Sequence, residues 1–178
     1  MKYNVLLLET IDEAAMSLLR QHEQIQILEG YSNGGVDKLI SQYKIHAIIT
    51  RGKGLVQKEL MDACPQLKAI ARCGVGLDNI DVETASSKKI PVLNAPGSNS
   101  ATIAEHTLSL MMMLVRDMYQ SVTKVKQDNW RWRSQYAGDE LGGKTLGILG
   151  MGNIGQRVAR YAEMIGMQVM YWDKFDAN

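Results

Sequence analysis

The residues best suited to chemistry are glycines. Gly150-Met151-Gly152-Asn153-Ile154-Gly155 follows an aliphatic run, Lys144 to Leu149, and opens a helical pattern, so the G-x-G-x-x-G spacing lies where a strand hands over to a helix. In that setting Gly150 permits a tight turn, Gly152 lets the backbone approach a pyrophosphate, and Gly155 lets the helix pack closely on the strand. The N–H groups near Asn153 and Ile154 then face the phosphates, aided by the helix dipole. Asp173 ends the next aliphatic run, Gln168 to Trp172, at roughly the 20-residue spacing of the acid that accepts the ribose hydroxyls of a dinucleotide. A carboxylate there repels a 2′-phosphate, so NAD is expected over NADP, with the neighbouring Lys174 pulling the other way. The competing reading is a βα turn whose glycines serve packing alone. Strand, helix and acid in register weigh against it.

Two further glycine turns follow strand candidates in the first hundred residues. Arg72-Cys73-Gly74-Val75-Gly76-Leu77-Asp78-Asn79 lacks the third glycine of a dinucleotide turn. Its free N–H groups suit a small anion nest for a substrate carboxylate, with a purely structural turn as the alternative. Thr50-Arg51-Gly52-Lys53-Gly54 sits at another strand end, where ligands of open parallel sheets gather; its basic residues read equally as solvated or functional. Proton transfer at neutral pH usually calls for a histidine. His22 and His46 read as surface or capping residues, and Glu105 and His106, adjacent on a helix, project in different directions. No catalytic group is therefore assigned within the chain. Cys64 and Cys73 lack CxxC spacing and a nearby histidine, which argues for two buried, reduced thiols and against a metal site or a disulfide framework.

These groups need an α/β scaffold to position them. Short aliphatic runs at Val5 to Leu8, Ile25 to Leu28, Ala47 to Thr50, Lys68 to Arg72 and Pro91 to Leu93 alternate with amphipathic stretches, giving the order βαβαβαβαβ of a parallel sheet flanked by helices. Thr10 and Glu13 form a capping box for a helix whose apolar face includes Ala15, Leu18 and Leu19. After the turn Asn94-Ala95-Pro96-Gly97-Ser98-Asn99, one long helix is predicted from Ala101 to Gln127, a span without proline or glycine. The domain boundary falls at this turn, with residues 1–98 in one domain and 99–178 in the next. The stretch Leu110 to Leu114 is apolar all round, so this helix is expected to be buried on more than one side, between domains, between subunits, or in an ordinary core. A polar loop with Trp130, Trp132 and Gly138 leads to the strand, glycine turn, helix and second strand that begin a Rossmann unit.

Composition narrows the partners. Of 178 residues, 46% are hydrophobic and 22% charged, ordinary for a soluble globular protein, and the net charge of +1 leaves no large field to recruit nucleic acid or an anionic membrane. The apolar run Leu108 to Val115 falls well short of the roughly 18–20 residues of a membrane span. Acidic Glu9 closes the N-terminal apolar run too early for a signal sequence, so the segment reads as a first buried strand. A cytoplasmic protein is expected.

With these motifs in hand, the sequence resembles the D-isomer-specific 2-hydroxyacid dehydrogenases, the family of D-3-phosphoglycerate dehydrogenase and glycerate/hydroxypyruvate reductase. The resemblance runs through the whole chain and is carried by Gly74-Val75-Gly76-Leu77-Asp78-Asn79-Ile80-Asp81, Val92-Leu93-Asn94-Ala95-Pro96-Gly97, Asn99 through Glu105, and Thr145 through Gly155. It implies a flavodoxin-like parallel-sheet substrate domain followed by the start of a Rossmann NAD-binding domain, with the active site in their cleft. By position, Arg51, Gly52, Val75 and Gly76 line the substrate carboxylate. Val75 and Thr102 approach the nicotinamide, while Gly150, Gly152, Asn153, Ile154, Gly155 and Asp173 hold the rest of NAD. The resemblance also implies a small 2-hydroxy or 2-keto acid as substrate, of phosphoglycerate or glycerate/hydroxypyruvate type, and a homodimer formed through the long helix after Asn99. Where many members carry Arg-Ser-x-Thr this chain has Arg51-Gly52-Lys53-Gly54, so side-chain hydroxyl contacts to substrate are missing. The family's catalytic arginine, glutamate and histidine fall beyond the equivalent of Asn178. The chain is therefore expected to be the N-terminal part of an oxidoreductase, truncated after the second Rossmann strand and inactive alone. A noncatalytic NAD-binding or regulatory module on the same scaffold is the alternative.

Overall fold

The computed structural model describes residues 2–32 and 35–175, and the chain divides into two compact units, Met1–Ser98 and Asn99–Asn178. In the first unit the strands are β1 (Tyr3–Leu7), β2 (Ile25–Glu29), β3 (Ile45–Thr50), β4 (Ala69–Arg72) and β5 (Val92–Leu93). The helices between them are α1 (Glu13–Arg20), α2 (Gly35–Gln42), α3 (Lys58–Ala63) and α4 (Val82–Ser87). All pairings are parallel, in the order β2-β1-β3-β4-β5, the flavodoxin-like arrangement expected from the alternating pattern.

Successive side chains of a strand point to opposite faces, and both faces of this sheet are covered. Leu6, Ile48 and Ile70 pack on one side with Val56, Met61 and Ile80, whereas Val5 and Leu7 pack on the other with Met16. Burial on both faces is why the strands read as continuous apolar runs. Strand order reverses between β1 and β3, so the loops after those strands meet at the switch point where open α/β sheets bind ligands.

Three local expectations are corrected in this unit. The first helix is capped by Asp12, whose Oδ1 accepts the Ala14 N–H at 2.9 Å, and not by Thr10. Starting at Glu13, it turns Met16 and Leu19 inward and leaves Leu18 62% exposed; Glu13 pairs with Arg20 instead of closing a capping box. His46 is buried, at 7% exposure, because β3 lies centrally beside β1: its Nδ1 accepts the Asn4 N–H and its ring meets Tyr3 edge-on. Cys64 is buried, but Cys73, just past the end of β4, is exposed.

The second unit contains α5 (Ser100–Val115), α6 (Met118–Lys126), a short 3-10 helix (Trp130–Gln135), β6 (Thr145–Leu149), α7 (Asn153–Met164) and β7 (Gln168–Trp172). Strands β6 and β7 pair in parallel, from Thr145 beside Gln168 to Leu149 beside Trp172. The single long helix expected over 101–127 is broken at Asp117, which adopts a left-handed conformation with φ 45°. The break frees carbonyls that the following segment claims: Val115 accepts the Asp139 N–H at 2.9 Å, and Arg116 accepts the Tyr136 hydroxyl at 2.6 Å. Helix α5 packs against α7 and α6, with Ala104 buried and Thr107 and Met111 turned toward Leu146, Ile154 and Val158. Its opposite face is exposed within the chain itself, with Leu114 82% exposed, so an ordinary core is not what covers Leu110 to Leu114. Among the described residues no helix is long and apolar enough to cross a membrane.

Candidate functional site

In the second unit, the β6–α7 turn gathers Gly150, Gly152, Asn153, Ile154, Gly155 and Asp173. Gly150 has φ +96°, a left-handed conformation open to glycine at little cost. A Cβ on Gly155 would collide with the Gly150 carbonyl oxygen, so this glycine is required for α7 to start so close to the turn. A Cβ on Gly152 would meet nothing within 4 Å. That glycine answers to no packing within the chain, and the space beside it is open to a ligand. Helix α7 begins at Asn153 without a side-chain cap among the described residues, leaving first-turn N–H groups and the positive end of the helix dipole for an anion. Asp173, at the end of β7, accepts the Met151 N–H on Oδ2 and the Phe175 N–H on Oδ1 at 2.9 Å. The Phe175 and Met151 N–H groups hold its carboxyl below the usual aspartate range, so a fixed negative charge flanks the turn. This donor and acceptor set fits a dinucleotide. Thr102, in the first turn of α5, is exposed; Glu105 and His106 are also exposed and share no hydrogen bond among the described residues.

In the first unit, the ends of β1, β3 and β4 carry a second group of polar residues. Its centre is Glu9, which sequence reading treated only as the end of an apolar run. One oxygen of Glu9, Oε1, accepts the backbone N–H groups of Arg51 (2.9 Å), Gly52 (2.7 Å), Lys53 (2.9 Å) and Gly54 (2.8 Å) and lies 3.0 Å from the Thr50 hydroxyl. Burial alone would raise this carboxyl, but the Gly52, Gly54, Arg51 and Lys53 donors outweigh it and hold it far below the usual glutamate range. Asn79, buried, clamps the same turn by donating to the Gly54 carbonyl at 2.7 Å and to Thr50 Oγ1 at 3.1 Å. A Cβ on Gly54 would come within 2.6 Å of Leu8 Cβ, so packing requires glycine there. The nest after β3 is thus filled from within the chain, and the Gly52 N–H is already committed. What this turn presents outward is the exposed Arg51 and Lys53 side chains.

The turn after β4 is organised differently. The Gly74 N–H donates to the Arg72 carbonyl, the Gly74 carbonyl accepts from Ala95, and the Val75 carbonyl accepts from Asn94. The N–H groups of Val75 and Gly76 take no part in these bonds, whereas that of Gly74 is withdrawn from the anion nest read from sequence. Asp78 leans back so that Oδ1 lies 2.7 Å from where a Gly76 Cβ would be. Burial pushes the Cys73 thiol up, Arg51 and Arg72 pull it down, and Glu9 adds to the rise. Glu9 and Arg72 were missed as site residues. The available signal was position, since Glu9 lies two residues past the end of β1, which borders the sheet's switch point, and Arg72 ends β4 at the same edge of the sheet.

Comparison with known proteins settles the lineage. The family described as D-isomer specific 2-hydroxyacid dehydrogenase, catalytic domain, matches residues 5–170. The chain belongs to this family. It is 37% identical over 171 residues to a D-3-phosphoglycerate dehydrogenase of a Synechocystis species, covering 96% of this chain and 30% of the relative. It is 38% identical over 172 residues to an (S)-sulfolactate dehydrogenase of Chromohalobacter salexigens, covering 97% of this chain and 55% of the relative. Among solved structures it is similar to the D-lactate dehydrogenase of Aquifex aeolicus complexed with NAD and lactic acid, with a TM-score of 0.83 and 27% identity over 98% of this chain and 52% of that one. The chain thus spans between about a third and about half of the length of these relatives.

Proposed function

We propose that the protein carrying this chain is an NAD-dependent oxidoreductase that transfers a hydride between NAD(H) and a small D-2-hydroxy or 2-keto acid. The observation that carries the reading is the β6–α7 turn, where a left-handed Gly150, an unobstructed Gly152 and the Asp173 carboxylate stand together. Residues 99–178 act as the dinucleotide-binding part. Gly150 through Gly155 and the start of α7 hold the pyrophosphate, Asp173 takes the adenosine ribose hydroxyls, and Thr102 lies toward the nicotinamide. When bound, NADH supplies the hydride.

Residues 1–98 act as the substrate-binding part. The Val75 and Gly76 N–H groups receive the substrate carboxylate, Arg51 supplies positive charge, and Gly52 contributes shape, since its own N–H serves Glu9. The relatives support an acid of this class, being named for phosphoglycerate, sulfolactate and lactate. The exposed Leu110, Met113 and Leu114 of α5 support a second copy of the chain covering that face, as in a homodimer, because apolar side chains grouped on one helix gain most by leaving water.

The test is dinucleotide selectivity. The chain is expected to bind NADH at least tenfold more tightly than NADPH, about 1.4 kcal/mol, because Asp173 repels a 2′-phosphate. Asp173→Ser should narrow that ratio mainly by weakening NADH. Failure to bind either dinucleotide, or a preference for NADPH, would overturn the reading.

A further inference from the structure

We propose that the cleft between α2 and α3 is a binding site for a small apolar amine, a hydrocarbon body carrying one ammonium group. The proposal goes beyond the oxidoreductase reading and does not depend on it.

Helix α2 is amphipathic, yet among the described residues it buries none of its own, whereas α1, α3 and α4 bury Met16, Met61 and Ala85 respectively. The packing it lacks is a cleft of about 400 Å³ between α2 and α3, toward the lower end of the roughly 300–1,000 Å³ of small-molecule sites. Its walls are Leu8, Val36, Ile40 and Leu60. These side chains are only partly buried and continue the larger core cluster of the unit. Leu55 also lines the cleft and stands 62% exposed. An apolar wall left in water gains by being covered, in proportion to the area a ligand takes from solvent.

The rim supplies the charge. Asp37 of α2 and Glu59 of α3 line the same cleft, both exposed, and no lysine, arginine or histidine lines it. Among the described residues neither carboxylate makes an ion pair, and Lys58, beside Glu59 in sequence, is held by Asp62 at 2.9 Å. Two acids from two helices at one apolar cleft select a cation over a neutral group or an anion, since complementary charge favours binding and like charge opposes it. The cleft also adjoins the Glu9 nest. Leu8 precedes Glu9, and Gly54 closes the turn whose N–H groups hold that carboxylate. A ligand packed on Leu8 and Gly54 therefore braces that turn against local opening.

The experiment is titration of the chain, followed by NMR, with phenethylamine, phenethyl alcohol and hydrocinnamate, which share an apolar body and differ in the charge of the end group. Wild type should bind the amine saturably and tenfold or more tightly than either other compound. The shifted resonances should include Leu55, Leu60 and Ala63, and amide exchange should slow from Arg51 through Gly54. Asp37→Asn combined with Glu59→Gln should bring the amine down to the affinity of the alcohol. Ala63→Phe, which fills the cleft from an exposed position, should weaken the amine and the alcohol alike. All three substituted positions are exposed, and circular dichroism with thermal unfolding reports that the variants are folded. Absence of saturable amine binding, equal affinity for the three compounds, a preference for the amine that survives loss of both acids, or binding indifferent to Ala63→Phe would overturn the proposal.

Discussion

Glu9 shows how one side chain can settle the shape of a binding edge. Four backbone donors and a hydroxyl converge on a single oxygen, so the turn carrying Arg51 is fixed by β1 as well as by its own sequence. Glu9→Gln keeps an acceptor but removes the charge, and at pH 7 it should cost about 1–2 kcal/mol, read from urea unfolding. The pH dependence follows from the depressed carboxyl. Its stabilisation is fully present above the unfolded value of ~4.3 and is lost as pH falls from there toward the lower folded value. Wild type should therefore lose stability between about pH 5 and 2 more steeply than Glu9→Gln; parallel curves would count against the nest as an energetic feature. At Gly155, where a Cβ meets the Gly150 carbonyl oxygen, Gly155→Ala should destabilise by about 1–3 kcal/mol, measurable by the same unfolding experiment. The Gly150 to Gly155 turn was legible because its parts are neighbours in sequence. The Glu9 nest was not, because its donors lie 42–45 residues away and an acid after an apolar run has many ordinary explanations.

Among the elements, sequence reading succeeded where burial imposed a pattern and failed where a distant contact decided the outcome. The five strands of the first sheet were visible as aliphatic runs because both faces are covered. The break between α5 and α6 was not, since nothing from Ala101 to Gln127 is a helix breaker; Tyr136 and Asp139 stabilise it by taking the freed carbonyls. Asp117→Gly removes the penalty for a left-handed non-glycine residue and should leave stability unchanged or raised by up to about 1 kcal/mol. Tyr136→Phe, which loses the bond to the Arg116 carbonyl, should cost about 1 kcal/mol. Thermal unfolding checks both, and a marked loss in Asp117→Gly would mean that the side chain, not the backbone, sets the break. The Leu110 to Leu114 stretch shows the same limit: apolar composition says a surface is to be covered without saying by what, and α5 meets neighbours on one face only within its own unit.

At the scale of the molecule, two units divide the work proposed for it. One presents strand ends with a filled nest, the Val75 and Gly76 N–H groups, and Arg51 and Arg72, which make no ion pair among the described residues; the other presents a glycine turn flanked by a fixed carboxylate. The family assignment was legible from four ordered motifs, and the division of labour now rests on geometry that can be tested in each unit by itself. The most direct test of the central claim is NADH binding by this chain and by Gly152→Asp, followed by fluorescence titration, with circular dichroism to confirm that both are folded. Position 152 tolerates a Cβ without contact inside 4 Å, so the substitution should leave the fold intact while placing a negative charge where the pyrophosphate would lie. Saturable binding by the wild type, weakened at least tenfold in Gly152→Asp, is the expected result. Equal binding by the two proteins, or none by the wild type, would contradict the assignment of the turn as a dinucleotide site.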